Sequence, residues 1–115
     1  MTIKRLESGA RMSQATIANG FVFLAGQVAT DPSADVTGQT QQVLGEIDRL
    51  LAGAGSHKGR ILTATVYLAD IGGFAQMNKA WDAWVPADAK PARATVEAKL
   101  AAPEYKVEIQ VTALL

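Results

Sequence analysis

Two charged residues in strand-like segments near the C-terminus have the types and surroundings that a binding or catalytic site requires. Arg93 follows a proline-containing linker at 86–92, and Glu108 lies within the most strongly apolar strand pattern of the chain. A guanidinium at a sheet edge or cleft can hold a carboxylate through two hydrogen bonds, whereas an unpaired carboxylate in an apolar strand is costly. The residues alone leave two interpretations open: a carboxylate-binding site with an acid–base group, or an ordinary ion pair of Arg93 with Glu108 or Glu97.

Other candidate sites have simpler explanations. His57 is the single histidine and cysteine is absent, which excludes multi-histidine metal sites, thiolate nucleophiles and disulfides. A Ser-His-Asp site would have to use His57, for which a solvated loop position is the better interpretation. The glycine-containing segment 53–59 follows a predicted helix, so helix termination explains it better than phosphate binding. Trp81 and Trp84 have helical spacing, which favours a core position over base stacking.

The composition restricts the class of protein. The chain has 115 residues, enough for one domain over 1–115, and its 49% hydrophobic and 19% charged residues are typical of a folded core. Eleven basic residues balance eleven acidic ones, so neither a nucleic-acid footprint nor a basic membrane-binding surface is predicted. No segment has the apolar length of a signal peptide or membrane span, and we expect a cytoplasmic protein.

The elements that must position Arg93 and Glu108 can be read from periodicity. Asn19-Gly20 has the composition of a tight hairpin turn, and an apolar stripe with three- and four-residue spacing predicts a helix over 37–54, capped by Asp35 or Thr37. A second helix carries Phe74, Met77, Trp81 and Trp84. Strands are predicted at 3–7, 12–17, 21–26, 61–69, 93–98 and 105–113. This order predicts an α+β fold with two helices on one face of a mixed sheet.

Two of the predicted strands are apolar on both faces, which indicates an oligomer. In 21–25 the phenylalanines alternate with Val22 and Leu24. In 61–69, strict alternation places Leu62, Val66 and Leu68 opposite Ile61 and Tyr67. Since two helices cover only one face of the sheet, we expect a second copy of the chain to cover the other.

Several segments together resemble the RidA/YjgF family of reactive-intermediate deaminases. The resemblance is carried by KPARATVE at 90–97, KVEIQVTA at 106–113 and AGQV at 25–28. It continues in LTATVYLAD at 62–70 and FAQMN at 74–78, and so extends over nearly the whole chain. Trp81-Asp-Ala-Trp84 and Tyr105-Lys-Val-Glu are similar to the small YoaB-like branch.

The resemblance implies a chorismate-mutase-like fold, a homotrimer with three intersubunit clefts, and hydrolysis of 2-imino or enamine acids such as 2-aminoacrylate and 2-iminopropanoate. By the same resemblance, Arg93 binds the substrate carboxylate and Glu108 positions the attacking water. Thr95 stands where a cysteine is usual and contacts the ligand through its main chain, while Gly26 and Asn78 line the cleft. An imine carbon is already electrophilic, so we expect the reaction to need no metal or organic cofactor.

Two departures from the family pattern leave the substrate open. Met12 stands where many members carry a tyrosine near the ligand, and Thr95 replaces the cysteine. A non-catalytic trimer that binds a keto acid or similar carboxylate through Arg93 is the alternative function. Glu108 favours catalysis, because a second negative charge does not help a carboxylate binder. A ribonuclease role, also ascribed to proteins resembling this family, is disfavoured by the zero net charge.

Overall fold

The computed structural model describes residues 2–115, which form an α+β structure built on a mixed six-stranded sheet. Its strands are β1 (Lys4–Ser8), β2 (Ser13–Ala18), β3 (Phe21–Leu24), β4 (Ile61–Leu68), β5 (Ala92–Glu97) and β6 (Val107–Leu114); the helices are α1 (Val36–Ala54) and α2 (Phe74–Trp84). The strand order is β1-β2-β3-β6-β4-β5, where β4 and β5 are parallel and the other neighbours antiparallel. The predicted fold class and element order are confirmed.

Local signals explain where several elements begin and end. Asn19 and Gly20 both have positive φ, 53° and 81°, as the tight hairpin turn between β2 and β3 requires. Asp35 immediately precedes α1, and its side chain accepts a hydrogen bond from the Gly38 N–H at 2.8 Å. Gly55 immediately follows α1 and adopts the left-handed conformation with φ of 86°. Asp35 rather than Thr37 is therefore the N-cap.

The core lies between the helices and one face of the sheet. Alternate residues of β6 supply its centre, since Val107, Ile109, Val111 and Ala113 are fully buried. Each large aliphatic side chain buried in this way contributes roughly 1.5–3 kcal/mol of hydrophobic stabilisation. Neither helix in the described chain combines the length and apolarity needed to cross a membrane.

The opposite face of the sheet, here called the open face, carries exposed apolar side chains. Phe23, Leu62 and Val96 are 43%, 40% and 42% exposed. The strict alternation predicted for β4 is wrong at its start, where the register with β6 shifts between Ile61 and Thr63. The irregularity turns Ile61 into the core and leaves Leu62 on the open face.

A buried glutamine joins the loop before α1 to the loop before β6. Gln39 is fully buried, and its Nε2 donates to the carbonyls of Pro32, Ala34 and Glu104 at 2.9–3.1 Å. Its Oε1 accepts from the Lys106 N–H at 2.9 Å. Because a buried amide without partners is costly, these bonds couple the placement of both loops, and with it the start of the strand that carries Glu108.

Candidate functional site

Arg93 lies on the helix-covered face of the sheet, at the edge strand β5. It is paired in register with Ala64 of β4, which is buried in the core. The guanidinium extends towards α2, where Nη1 donates to Asn78 Oδ1 at 2.8 Å and contacts Met77 Sδ at 3.8 Å. Its Cζ also lies 4.9 Å from the ring centroid of Trp81. Three side chains of one helix therefore fix its orientation.

The charge on Arg93 has no acidic partner in residues 2–115. Burial lowers the pKa of Arg93, and the charge of Asp82 acts in the opposite direction; the guanidinium stays protonated at neutral pH. The ion pairs found in this range join Arg49 to Glu7 and Glu46. A cross-strand ion pair of Arg93 with Glu108 or Glu97 within one chain, one of the two sequence interpretations, is therefore wrong. Glu97 instead accepts a hydrogen bond from the Ile71 N–H at 3.0 Å.

Glu108 lies on the open face of the sheet. Its neighbours Val107 and Ile109 are buried beneath the helices, so strand alternation directs Glu108 the other way. Gly26 is packed directly against it: a Cβ on Gly26 would lie 2.9 Å from Glu108 Cδ and closer still to Oε2. Glycine at 26 therefore leaves room for the carboxylate.

The backbone next to Gly26 is tied to the same strand. Gln27 N–H donates to Ile109 O at 2.9 Å, and Ile109 N–H donates back to Gln27 O at 3.1 Å. The Gln27 side chain, itself buried, donates to Gln14 Oε1 and Ala25 O. These bonds hold Gly26 against Glu108 and give that pair a defined geometry.

A groove of about 320 Å³ opens beside Glu108. It is lined by Gly26, Tyr67, Glu108, Gln110 and the loop residues Ala98, Lys99, Leu100 and Ala101. Tyr67 is directly opposite Glu108 in the register of β4 and β6. Sequence reasoning missed this neighbour because alternation assigns Tyr67 to a face without showing which strand lies beside it.

Of the remaining predicted residues, Thr95 lies on the same face of the sheet as Arg93, and Met12 lies elsewhere. Thr95 shares a strand face with Arg93, and its Oγ1 is buried with no hydrogen-bond partner in the described chain. Met12 is 51% exposed and lies just before β2, where Gln14 O accepts from the Ala25 N–H next to Gly26. Met12 is not one of the residues lining the groove.

The predicted site therefore forms two halves within one chain. The first half contains Arg93, Asn78 and Thr95 on the helix-covered face, and the second contains Glu108 and Gly26 on the open face. Strand β4 lies between β5 and β6, so the two halves are not on adjacent strands. One half can bind a carboxylate and the other can accept a proton. Within residues 2–115, no group of three or more histidine, aspartate or glutamate side chains could hold a metal ion.

Comparisons with known proteins agree with this fold. The family model described as endoribonuclease L-PSP matches residues 2–115. A RutC family protein of Haemophilus ducreyi is 50% identical over 113 residues, covering 98% of this chain and 97% of that protein. The RutC family protein YoaB of Escherichia coli is 48% identical, with 98% of each chain covered. A solved member of the YjgF protein family from Neisseria meningitidis superposes with a TM-score of 0.97 at 48% identity, covering 99% of this chain and 95% of that one. The chain belongs to the RidA/YjgF family and is YoaB-like within it.

Proposed function

We propose that the protein hydrolyses reactive 2-imino and enamine acids to 2-keto acids and ammonia, in clefts between the subunits of a homotrimer. The observation that carries this proposal is the environment of Arg93. Its guanidinium is held by Asn78, Met77 and Trp81, and no carboxylate of residues 2–115 lies within ion-pair distance of it. A cation that is partly desolvated and held in one orientation without an internal counter-ion is suited to bind an external carboxylate.

The two halves have to come from different subunits to act together. Arg93 and Glu108 lie on opposite faces of one sheet, and the open face bears exposed apolar side chains that a second copy would cover. In a ring of identical subunits, each interface joins two different surfaces of the chain. Three such interfaces would each combine an Arg93 half with the Glu108 half of the neighbouring subunit.

The residues of such a cleft can carry out the reaction. Arg93 Nη1 is occupied by Asn78 and Met77, while Nε and Nη2 donate to no side chain in residues 2–115 and remain for the substrate carboxylate. Glu108 accepts a proton as water oxygen attacks C2 of the protonated imine, which gives a neutral tetrahedral carbinolamine. That proton then moves to the carbinolamine nitrogen. The C–N bond breaks and ammonia leaves, while the hydroxyl proton passes to Glu108 as the C2 carbonyl forms. Enamines enter the same route after tautomerising to the imine.

Hydrolysis of RNA is the less favoured activity, although the matched family model is described as an endoribonuclease. Binding of a polyphosphate backbone calls for a concentration of basic residues, and here eleven basic residues are balanced by eleven acidic ones. A trimer that binds carboxylates without catalysis would use Arg93 equally well. Glu108 beside a groove is the feature that favours hydrolysis.

The proposal is tested by mixing two inactive variants. Arg93→Ala and Glu108→Ala subunits carrying different tags are co-expressed, and ammonia and keto-acid release is measured from an enzymatically generated 2-imino acid. Each variant alone is expected to be inactive. Mixed trimers are expected to regain about a third of wild-type activity, because in a ring of three one cleft combines the two unaltered halves; an unsorted equal mixture, which includes the inactive homotrimers, should regain about a quarter.

Two outcomes would contradict parts of the proposal. Complete absence of activity in mixed trimers that are shown to form would mean that the halves do not meet between subunits. A wild-type protein that only matches the uncatalysed rate with several imines would exclude the deaminase activity. In that case, binding of pyruvate or 2-oxobutanoate, lost in Arg93→Ala, would support the carboxylate-binding alternative.

A further inference from the structure

Tyr67 is the residue of β4 that lies directly opposite Glu108 of β6. Directly opposed residues on antiparallel strands have Cβ atoms roughly 4.5–5.5 Å apart, and their side chains project from the same face of the sheet. Tyr67 and Glu108 also line the same groove, together with Gly26. The register therefore places a phenol beside the carboxylate that acts as the base in the proposed function.

The Tyr67 hydroxyl is available for a ligand. Among residues 2–115 it has no protein hydrogen-bond partner; Tyr67 is only partly buried, and it borders a groove of about 320 Å³ that has room for water. The nearby amide of Gln110 is already engaged, because its Nε2 donates to Leu24 O at 3.0 Å and to Val111 O at 3.2 Å. Tyr67 thus has the free hydroxyl closest to Glu108 in the register of the sheet.

We infer that Tyr67 is a further catalytic residue, which holds the attacking water together with Glu108. This inference rests on the proposed imine hydrolysis. The water donates one O–H to the Glu108 carboxylate and the other to the lone pair of the Tyr67 oxygen, which leaves a water lone pair directed at C2. As the C–O bond forms, the first O–H breaks and its proton passes to Glu108. The second stays on oxygen as the carbinolamine hydroxyl, still bound to Tyr67.

The test is the isosteric variant Tyr67→Phe, with Tyr105→Phe as its matched control. Tyr105 is the only other tyrosine of the chain. It does not line the Glu108 groove but an adjoining cavity of about 650 Å³, which shares residues 98–101 with that groove. Steady-state kinetics on 2-iminopropanoate should show kcat of Tyr67→Phe lowered roughly tenfold, the effect of one lost hydrogen bond to the reacting water. Its KM should be unchanged, because Arg93 still binds the carboxylate. Tyr105→Phe should match wild type in both constants.

The outcomes separate this inference from the function on which it rests. Wild-type kcat in Tyr67→Phe, with Glu108→Gln inactive, would overturn the role of Tyr67 and leave the deaminase activity standing. Equal losses in the two phenylalanine variants, or a loss confined to KM, would also overturn the role of Tyr67, because neither result would come from a hydrogen bond to the attacking water. If wild type hydrolyses no imine, the proposed function and the role of Tyr67 fail together.

Discussion

The two halves of the candidate site are built in different ways. The guanidinium of Arg93 is held in place by side chains, through a hydrogen bond to Asn78 and a contact with the ring of Trp81. Glu108 has a backbone fixed in the centre of the sheet, while its carboxylate has no hydrogen-bond partner among residues 2–115 and faces a groove beside Gly26. This difference fits the two proposed roles. A group that binds a carboxylate gains from a fixed orientation, whereas a group that accepts and returns a proton gains from a side chain that can move. Substitutions in each half should therefore affect different kinetic constants.

The largest effect is expected from Glu108→Gln, which keeps the shape of the side chain and removes its basicity. Loss of a positioned base costs roughly 10²–10⁴-fold in rate, so kcat should fall by about a thousandfold while KM stays within about twofold of wild type. Steady-state kinetics on 2-iminopropanoate provide the measurement. A variant that changed KM and preserved kcat would place Glu108 in substrate binding and remove the distinction between the halves.

A smaller loss is expected from Arg93→Lys, which keeps the charge but not the planar donor pair. Loss of two-point carboxylate binding and of the contact with Trp81 should lower kcat/KM by about a hundredfold, mainly through KM. Arg49→Lys is the matched control, since Arg49 is an exposed residue paired with Glu7 and Glu46 and should leave both constants unchanged. Full activity in Arg93→Lys would show that charge alone is needed.

The smallest of these losses is expected from Gly26→Ala, which alters the Glu108 half without changing the carboxylate itself. The new methyl would occupy space now taken by the Glu108 carboxylate, which must move aside. The kcat should fall about tenfold, within the cost of displacing a catalytic group by part of an ångström. Gly45→Ala is the control, because a Cβ there meets no atom within 4 Å, and in mid-helix it should raise stability by about 1 kcal/mol. Unchanged kcat in Gly26→Ala would mean that the carboxylate acts from another position.

Local patterns predicted most of the fold and only part of the site. The turn at Asn19-Gly20, a cap at Asp35 (one of two candidates) and the alternation from Val107 to Ala113 depend on neighbours in sequence, and all three are found. The irregularity after Ile61 and the position of β4 between β5 and β6 depend on pairing between distant segments, which a single sequence does not display. For the same reason, the residue types at 93 and 108 predicted chemistry, but their placement on opposite faces emerged only with the strand order.

The hydrogen bonds of Gln39 affect the local unfolding of the loops that they join as well as their placement. The Lys106 amide hydrogen is bonded to a side chain 67 residues away and not to a neighbouring strand. Its exchange with solvent deuterium therefore depends on release of the buried Gln39 amide, which also bonds the carbonyls of Pro32, Ala34 and Glu104. The loop before α1 and the loop before β6 thus form one cooperative unit of opening. Fluctuations that expose the start of β6 would therefore also open the loop that precedes α1.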